Sequence, residues 1–470
     1  MGWWCSSVTG KDTNTAMNDQ RHDHEPDRPG TRRARTRWWN VGLAAMTGLA
    51  LTTSLGIGGA PATGTVDRTL TATDDRPGKP DHASTDNKDH EGKGKKGTRK
   101  GTPVPCSADA LIAAITLGNA RGGAVLDLAS KCTYLLTADI DDGAGLPEIT
   151  APITLNGGTH TSITRAAAAP LFRILTVEAG GDLTLNHLTI TGGQTTDNGG
   201  GILVNTGGTL ATKHSTIIRN IAGGSGGGIL SLGNTSIDSS TISYNSAIID
   251  GGGINSQRQI YLTNSLIVNN QTSINSGGGA AIVGSAAIAK TAITGNGAGN
   301  AGGGLVIFAA AATITDSKIV DNASANNGGG ISIPDGAQLT LRRVAVADNR
   351  AGGTGGGLFV NLNNQVVVED ARFERNTATG DGGGISNLSD TVVRQSKLSD
   401  NHADEGAGVF NGATATLTLY STKVVKNTAV TDGGGIFNEA GGTVELNTAT
   451  GTTVAKNRPN NCVNVTGCPD

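Results

Sequence analysis

The chain repeats itself with a period near 26, and few folds accept such a period. Glycine triplets end at Gly201, Gly228, Gly253, Gly279, Gly304, Gly330, Gly357, Gly384 and Gly435, with Gly-Ala-Gly at Gly408. The successive steps are 27, 25, 26, 25, 26, 27, 27, 24 and 27. A second mark keeps pace with the first: an apolar residue stands three before an Asn in every unit, from Ile217 and Asn220 through Val346 and Asn349 to Val454 and Asn457. Two marks in register identify an array of stacked supersecondary units.

Inside each unit the apolar positions read as short strands. An aliphatic residue follows the glycines in nearly every unit, and another stands five before the second mark, as at Ile237, Leu262, Ile314 and Leu341. Local alternation such as Leu339-Thr340-Leu341 has period two over three or four residues, which excludes helix. Three such strands fit in one unit. A single unit cannot bury its inward residues, but units stacked about 4.8 Å apart bury a continuous column and pair every strand edge except those at the ends. The expected fold is therefore all-β, a single-stranded parallel β-helix. Glycine supplies positive φ and close backbone approach at a corner, and Asn tolerates the left-handed region while its amide bonds to the next coil. Both marks are thus explained by coil geometry. The 72 glycines among 470 residues lack a collagen period, and 36% hydrophobic residues in regular clusters exceed what disordered chains carry.

These residues resemble the right-handed parallel β-helix, or pectin-lyase-like, class. The repeats over 199–457 are similar to polymorphic outer-membrane protein repeats, marked by Gly-Gly-Ala-Ile and Phe-x-x-Asn. This chain departs in usually having a third Gly and in placing Phe in its slot only at Phe373. Those proteins continue into a membrane barrel, whereas this sequence stops thirteen residues after Asn457, so an autotransporter is not expected. The resemblance implies a right-handed coil; counting the irregular coils before the repeats with the repeats themselves, about 13 turns and a rod roughly 60 Å long are expected. Ser107 with Leu111, Ile112 and Ile115 reads as a short N-terminal capping helix over the open strand edges, ending near Gly122-Gly123. Residues 106–198 are then the cap and first irregular coils, 199–461 the regular repeats and 462–470 a closed C-terminal end.

A different composition precedes the repeats. All four Trp and all three Met lie within the first 46 residues. The apolar run Val41 to Ile57 follows Arg32, Arg33, Arg35 and Arg37 and precedes Ala60-Pro61-Ala62. That order reads as a signal peptide over 1–62, removed after Ala62, and a secreted product with no membrane attachment after cleavage. Arg32-Arg33 leaves a twin-arginine route open beside the general one, and the distance from Met1 points to Met17 as the true start. Residues 63–105, rich in Thr, Asp, Lys, Gly and Pro without an apolar period, read as a disordered linker. Cys106, Cys132, Cys462 and Cys468 remain after cleavage, an even count at the two ends of the ordered region. Of three connectivities we favour Cys106–Cys132 and Cys462–Cys468, each sealing an end. Zinc is not expected, because the nearest His to either pair is His160.

Function is sought on outward positions of neighbouring coils. Residues 106–470 hold 20 Lys/Arg against 27 Asp/Glu, a net of −7, which excludes a broad nucleic-acid face. Pectin-lyase-like enzymes carry carboxylates and a basic residue on one outward face. Here Arg342, Glu369 and Arg394 share one column, Arg343 and Asp370 the next, and Arg372, Lys397 and Lys423 another. This is the most charged face and the candidate binding face, although a ladder of solvated charges would look the same. His214 and His402 stand alone in separate coils, and the body has no Trp for sugar stacking, only Tyr134, Tyr244, Tyr261 and Tyr420. The expectation is a monomeric, non-enzymatic, adhesin-like surface or matrix protein without a cofactor, binding a cell-surface polysaccharide or another surface protein. The alternative is a divergent polysaccharide lyase or glycoside hydrolase using the same face.

Overall fold

A computed structural model describes residues 101–308 and 311–469. The expected signal peptide and the linker up to residue 100 lie outside the described residues. The end of the segment read as linker belongs to the fold: Thr102–Val104 is a strand, with Thr102 opposite Leu126 in a parallel pair. Val104 is 3% exposed. Three residues, with Pro103 in their middle and Pro105 following, are too short to show alternation in sequence.

The chain winds into a single-stranded right-handed parallel β-helix of about 14 turns. The turn beyond the 13 expected opens with Thr102–Val104, the first strand of a 14-stranded sheet. Three further sheets of 13, 12 and 10 strands complete the walls. One coil shows the path: Ile229–Ser231 after the glycines, then Asn234–Asp238, Thr241–Ser243 and Ser246–Ala247. Each repeat thus has four strands where periodicity gives three. The fourth follows the Asn and, from Gln194–Thr195 to Thr377–Ala378, is only two residues long, below the length at which alternation registers.

The inward side chains stack by type. Ile217 lies opposite Ile242, and Ile242 opposite Ile267, all fully buried. Burying one such side chain contributes about 1.5–3 kcal/mol, and the column needs like-sized neighbours on both sides. At Gly227 an added Cβ would drive into the Gly252 and Ser246 carbonyl oxygens of the next coil, so close backbone approach requires glycine there.

Two corners of each repeat turn through the left-handed region. His214, Ser239 and Asn264 occupy one, Arg219, Tyr244 and Asn269 the other, with φ between 49 and 54°. After each such residue comes a buried polar side chain. Behind the second corner runs the asparagine ladder: Asn349 Nδ2 donates to Asn376 Oδ1 (3.0 Å) and to the Ile319 carbonyl (2.8 Å), while its Oδ1 accepts from the Asn322 amide N–H and Nδ2 (3.0 Å each). Behind the first corner a shorter hydroxyl ladder runs from Ser215 through Ser240 and Ser265, each backbone N–H donating to the next hydroxyl. Ser215, Ser240 and Ser265 each stand two before the apolar residue of the second mark, at Ile217, Ile242 and Ile267.

The ends are closed as expected. The helix Ala108–Ala120 buries Leu111 and Ile115 over the first coil, and Ser107 stands at its N-cap without a capping hydrogen bond from its side chain. Cys106–Cys132 and Cys462–Cys468 are both bonded, with Cα separations of 5.7 and 6.3 Å.

Candidate functional site

The first corner carries the charged face. Strand register places Arg342 opposite Glu369 and Glu369 opposite Arg394, and in the next column Arg372 opposite Lys397 and Lys397 opposite Lys423. Arg343 and Asp370 are both corner residues, with φ of 52 and 51°. All the predicted face residues therefore come together on a few consecutive coils.

The pairing differs from simple alternation up each column. Arg342 Nε lies 3.5 Å from Glu369, but Arg343 turns to the preceding coil, where Nε is 2.6 Å from Asp316 Oδ1 and a second nitrogen donates to Oδ2 at 2.9 Å. Arg343 holds the Asp316 carboxyl below the usual carboxylate range, through these hydrogen bonds first and its charge second. Arg375 clasps Asp348 in the same way at the second corner, and Lys397 pairs with Glu374 at 3.1 Å. Sequence reasoning missed Asp316, Asp348, Glu374 and Arg375. Their signal was present, since Asp316 and Asp348 each stand one repeat before Arg343 and Arg375.

A concavity opens on this corner, lined by Asp370, Arg372, Gln395, Lys397, Ser421 and Lys423. Among the described residues Arg372, Lys423 and Asp370 have no ion-pair partner within 4.0 Å. Beside it the Arg394 guanidinium lies over the Tyr420 ring, 5.6 Å from its centroid. The arrangement can hold an anionic or hydroxyl-rich ligand by charge, amide and hydroxyl groups.

Two other groupings were not foreseen. Next to the glycine corner, burial pushes the Asp381 and Glu405 carboxyls above their ordinary values, reinforced by the negative charges of Asp404 and Glu439. At the other end of the rod His214 does not stand alone: its ring stacks on His187 of the preceding coil at 4.7 Å and 8°. His402 opens the strand His402–Glu405 in the fourth sheet, opposite Thr377. Among the described residues no group of three or more His, Cys, Asp or Glu is arranged to hold a metal ion, and no helix is long and apolar enough to cross a membrane.

Comparison with known proteins agrees with the coil. Residues 289–457 match the family model described as right handed beta helix region, which falls within the repeats. Neither a curated protein nor a solved structure matches the chain. Stacked coils, two ladders and the matched segment agree on one fold, the right-handed parallel β-helix.

Proposed function

We propose that this is an exported, monomeric β-helix protein of a bacterial surface or matrix, adhesin-like and non-enzymatic, whose charged corner binds a polysaccharide or another surface protein. The observation that carries this is the concavity in which Arg372, Lys423 and Asp370 keep charges without ion-pair partners among the described residues, set on a rod whose repeat signatures are consumed by packing. Similarity of the repeats to polymorphic outer-membrane protein repeats supports the adhesin-like part, and the apolar run ahead of Ala60-Pro61-Ala62 supports export.

The test is a glycan array and a panel of surface proteins probed with wild type and with Arg372→Glu and Lys423→Glu together. Loss of binding at an unchanged unfolding midpoint supports the proposal; undiminished binding refutes it. A second function, polysaccharide cleavage, draws on Asp381 and Glu405, since carboxyls held above their ordinary range suit proton donation. Unsaturated products or new reducing ends from an incubated polymer, abolished by Asp381→Asn, would establish it in place of simple binding.

A further inference from the structure

Strand alternation turns a set of aromatic rings outward on one wall of the coil. Leu358 and Val360 belong to the core, so Phe359 between them faces out. In register with it stand Ser332 on one side and Ser386, Phe410 and Phe437 on the other. Phe308 follows the strand Leu305–Ile307 of the same sheet, whose two end residues point inward. Four of the chain's six Phe thus lie on this wall, whereas Phe172 and Phe373 fill the core.

Between Val306 and Phe359 the outward position is Ser332, and its small side chain leaves a groove of about 280 Å3. One lip is formed by the glycine-corner loops through Asn275, Asn300 and Asn327, the other by Phe308, Pro334 and Asn361, one from each of three successive coils. The groove therefore runs along the rod for about 10 Å. Its lining carries no charged residue, in contrast with the corner that holds Arg372 and Lys423. Amides supply its polarity. Asn300 Oδ1 accepts from Asn326 Nδ2, and Asn327 Oδ1 accepts from the Thr354 N–H. Both amides are thereby fixed, and their own Nδ2 groups have no protein partner among the described residues.

An uncharged groove with spare amide donors and a half-buried ring on its lip suits a ligand rich in hydroxyls that also has an apolar C–H face, as a pyranose has. A charged chain would lie here without counter-charges. At about 280 Å3 the groove seats a stretch of extended chain rather than a folded protein. We propose that this wall binds a neutral, unbranched polysaccharide laid parallel to the rod axis, with Phe308 against a sugar face, Asn300, Asn327 and Asn361 on hydroxyls, and Phe359 closing one end. The site lies apart from the charged concavity and does not rest on it.

The full chain is run through native gels containing hydroxyethylcellulose or linear glucomannan, both soluble and neutral. Wild type should be retarded to an extent that added salt does not change. Phe308→Ala and Asn361→Ala should each weaken retention about tenfold, and Phe308→Tyr should keep it. Ser332→Phe fills the groove with the side chain that the next coil already carries at Phe359, and should abolish retention while the unfolding midpoint stays unchanged. Arg372→Glu with Lys423→Glu should leave it intact. No retardation of wild type by either polymer, or retardation that survives both Phe308→Ala and Ser332→Phe, overturns the proposal.

Discussion

Arg165 and Asn349 solve one problem, a buried polar corner, in two parts of the rod. Arg165, 9% exposed, lies in the irregular coils and serves several acceptors alone: Nε donates to the Gly192 carbonyl, Nη1 to those of Ala169 and Pro170, and Nη2 to Gln194 Oε1. Its guanidinium also lies 5.9 Å from the centroid of the buried Phe172 ring. Asn349 lies in the repeats and does the same work with partners identical to itself above and below. The irregular coils bury Tyr134 and Phe172, each used once, with the Tyr134 hydroxyl donating to the Val104 carbonyl. The repeats bury columns of Ile, Leu and Val.

A periodic arrangement is stable only where like stands on like, so its ends need other chemistry. The asparagine ladder begins at Asn220, whose Oδ1 accepts from the Gly193 N–H, and Gly193 has no side chain to pass the pattern on. It finishes at Asn457, whose Nδ2 donates to Asn461 Oδ1 and the Val424 carbonyl. The irregular region is therefore where the repeat is terminated, and Arg165 supplies donors where no ladder rung exists.

The comparison breaks first at a residue used once. Phe172→Ala should destabilise by about 3–5 kcal/mol, since no neighbouring copy fills the cavity; a loss under about 1 kcal/mol by denaturant unfolding would show that these coils repack as freely as repeats. Asn349→Ala should follow at about 3 kcal/mol, leaving the Asn322 backbone N–H without an acceptor, Asn322 Nδ2 with the Ile293 carbonyl alone, and the Ile319 carbonyl without its side-chain donor. The same change at the end rung Asn457 should lower the midpoint less, and equal losses at both would mean that position in the ladder does not matter. Removing Cys106–Cys132, with its sequence separation of 26, should cost about 3 kcal/mol, and removing Cys462–Cys468, with a separation of 6, about 2 kcal/mol, compared by unfolding of the two serine double variants. A reversed order would place the weaker end at the N-terminus.

The smallest expected effect is at Asp250, in the repeats. Burial raises its carboxyl above the usual range, against the lowering effect of the Ser276 N–H. The folded state then binds this proton more tightly than the unfolded one, so its contribution to stability is present below the ordinary Asp range and is lost as pH rises through the folded value. Asp250→Asn keeps an acceptor for Ser276 and should raise the midpoint slightly at neutral pH, within about 0.5 kcal/mol, with the gain vanishing in acid. A gain that persists at low pH would assign it to something other than charge burial.

Much of the coil was legible because repetition multiplies weak signals. One Asn three after an apolar residue says little, but ten in register specify an inward column. The disulfide pairing was legible from its place at the two ends. The strands Thr102–Val104 and Ser246–Ala247 were not, because two or three residues carry no period. Within the charged face the columns followed from alignment, whereas the choice of Asp316 over Asp370 as the partner of Arg343 depends on side-chain direction at a left-handed corner.

Sequence alone determined the period, the inward and outward sides of each strand, and the residues that cap the rod, since these depend on local polarity and spacing. Tertiary structure decided what the outward residues can do. His187 and His214 stand 27 residues apart, an interval unremarkable in sequence, and meet because a coil returns to the same corner, while His160 reaches their rim on an inserted loop. The concavity beside them exists because Gly157 leaves the place above His187 empty, which is a property of three coils packed together and of no single one.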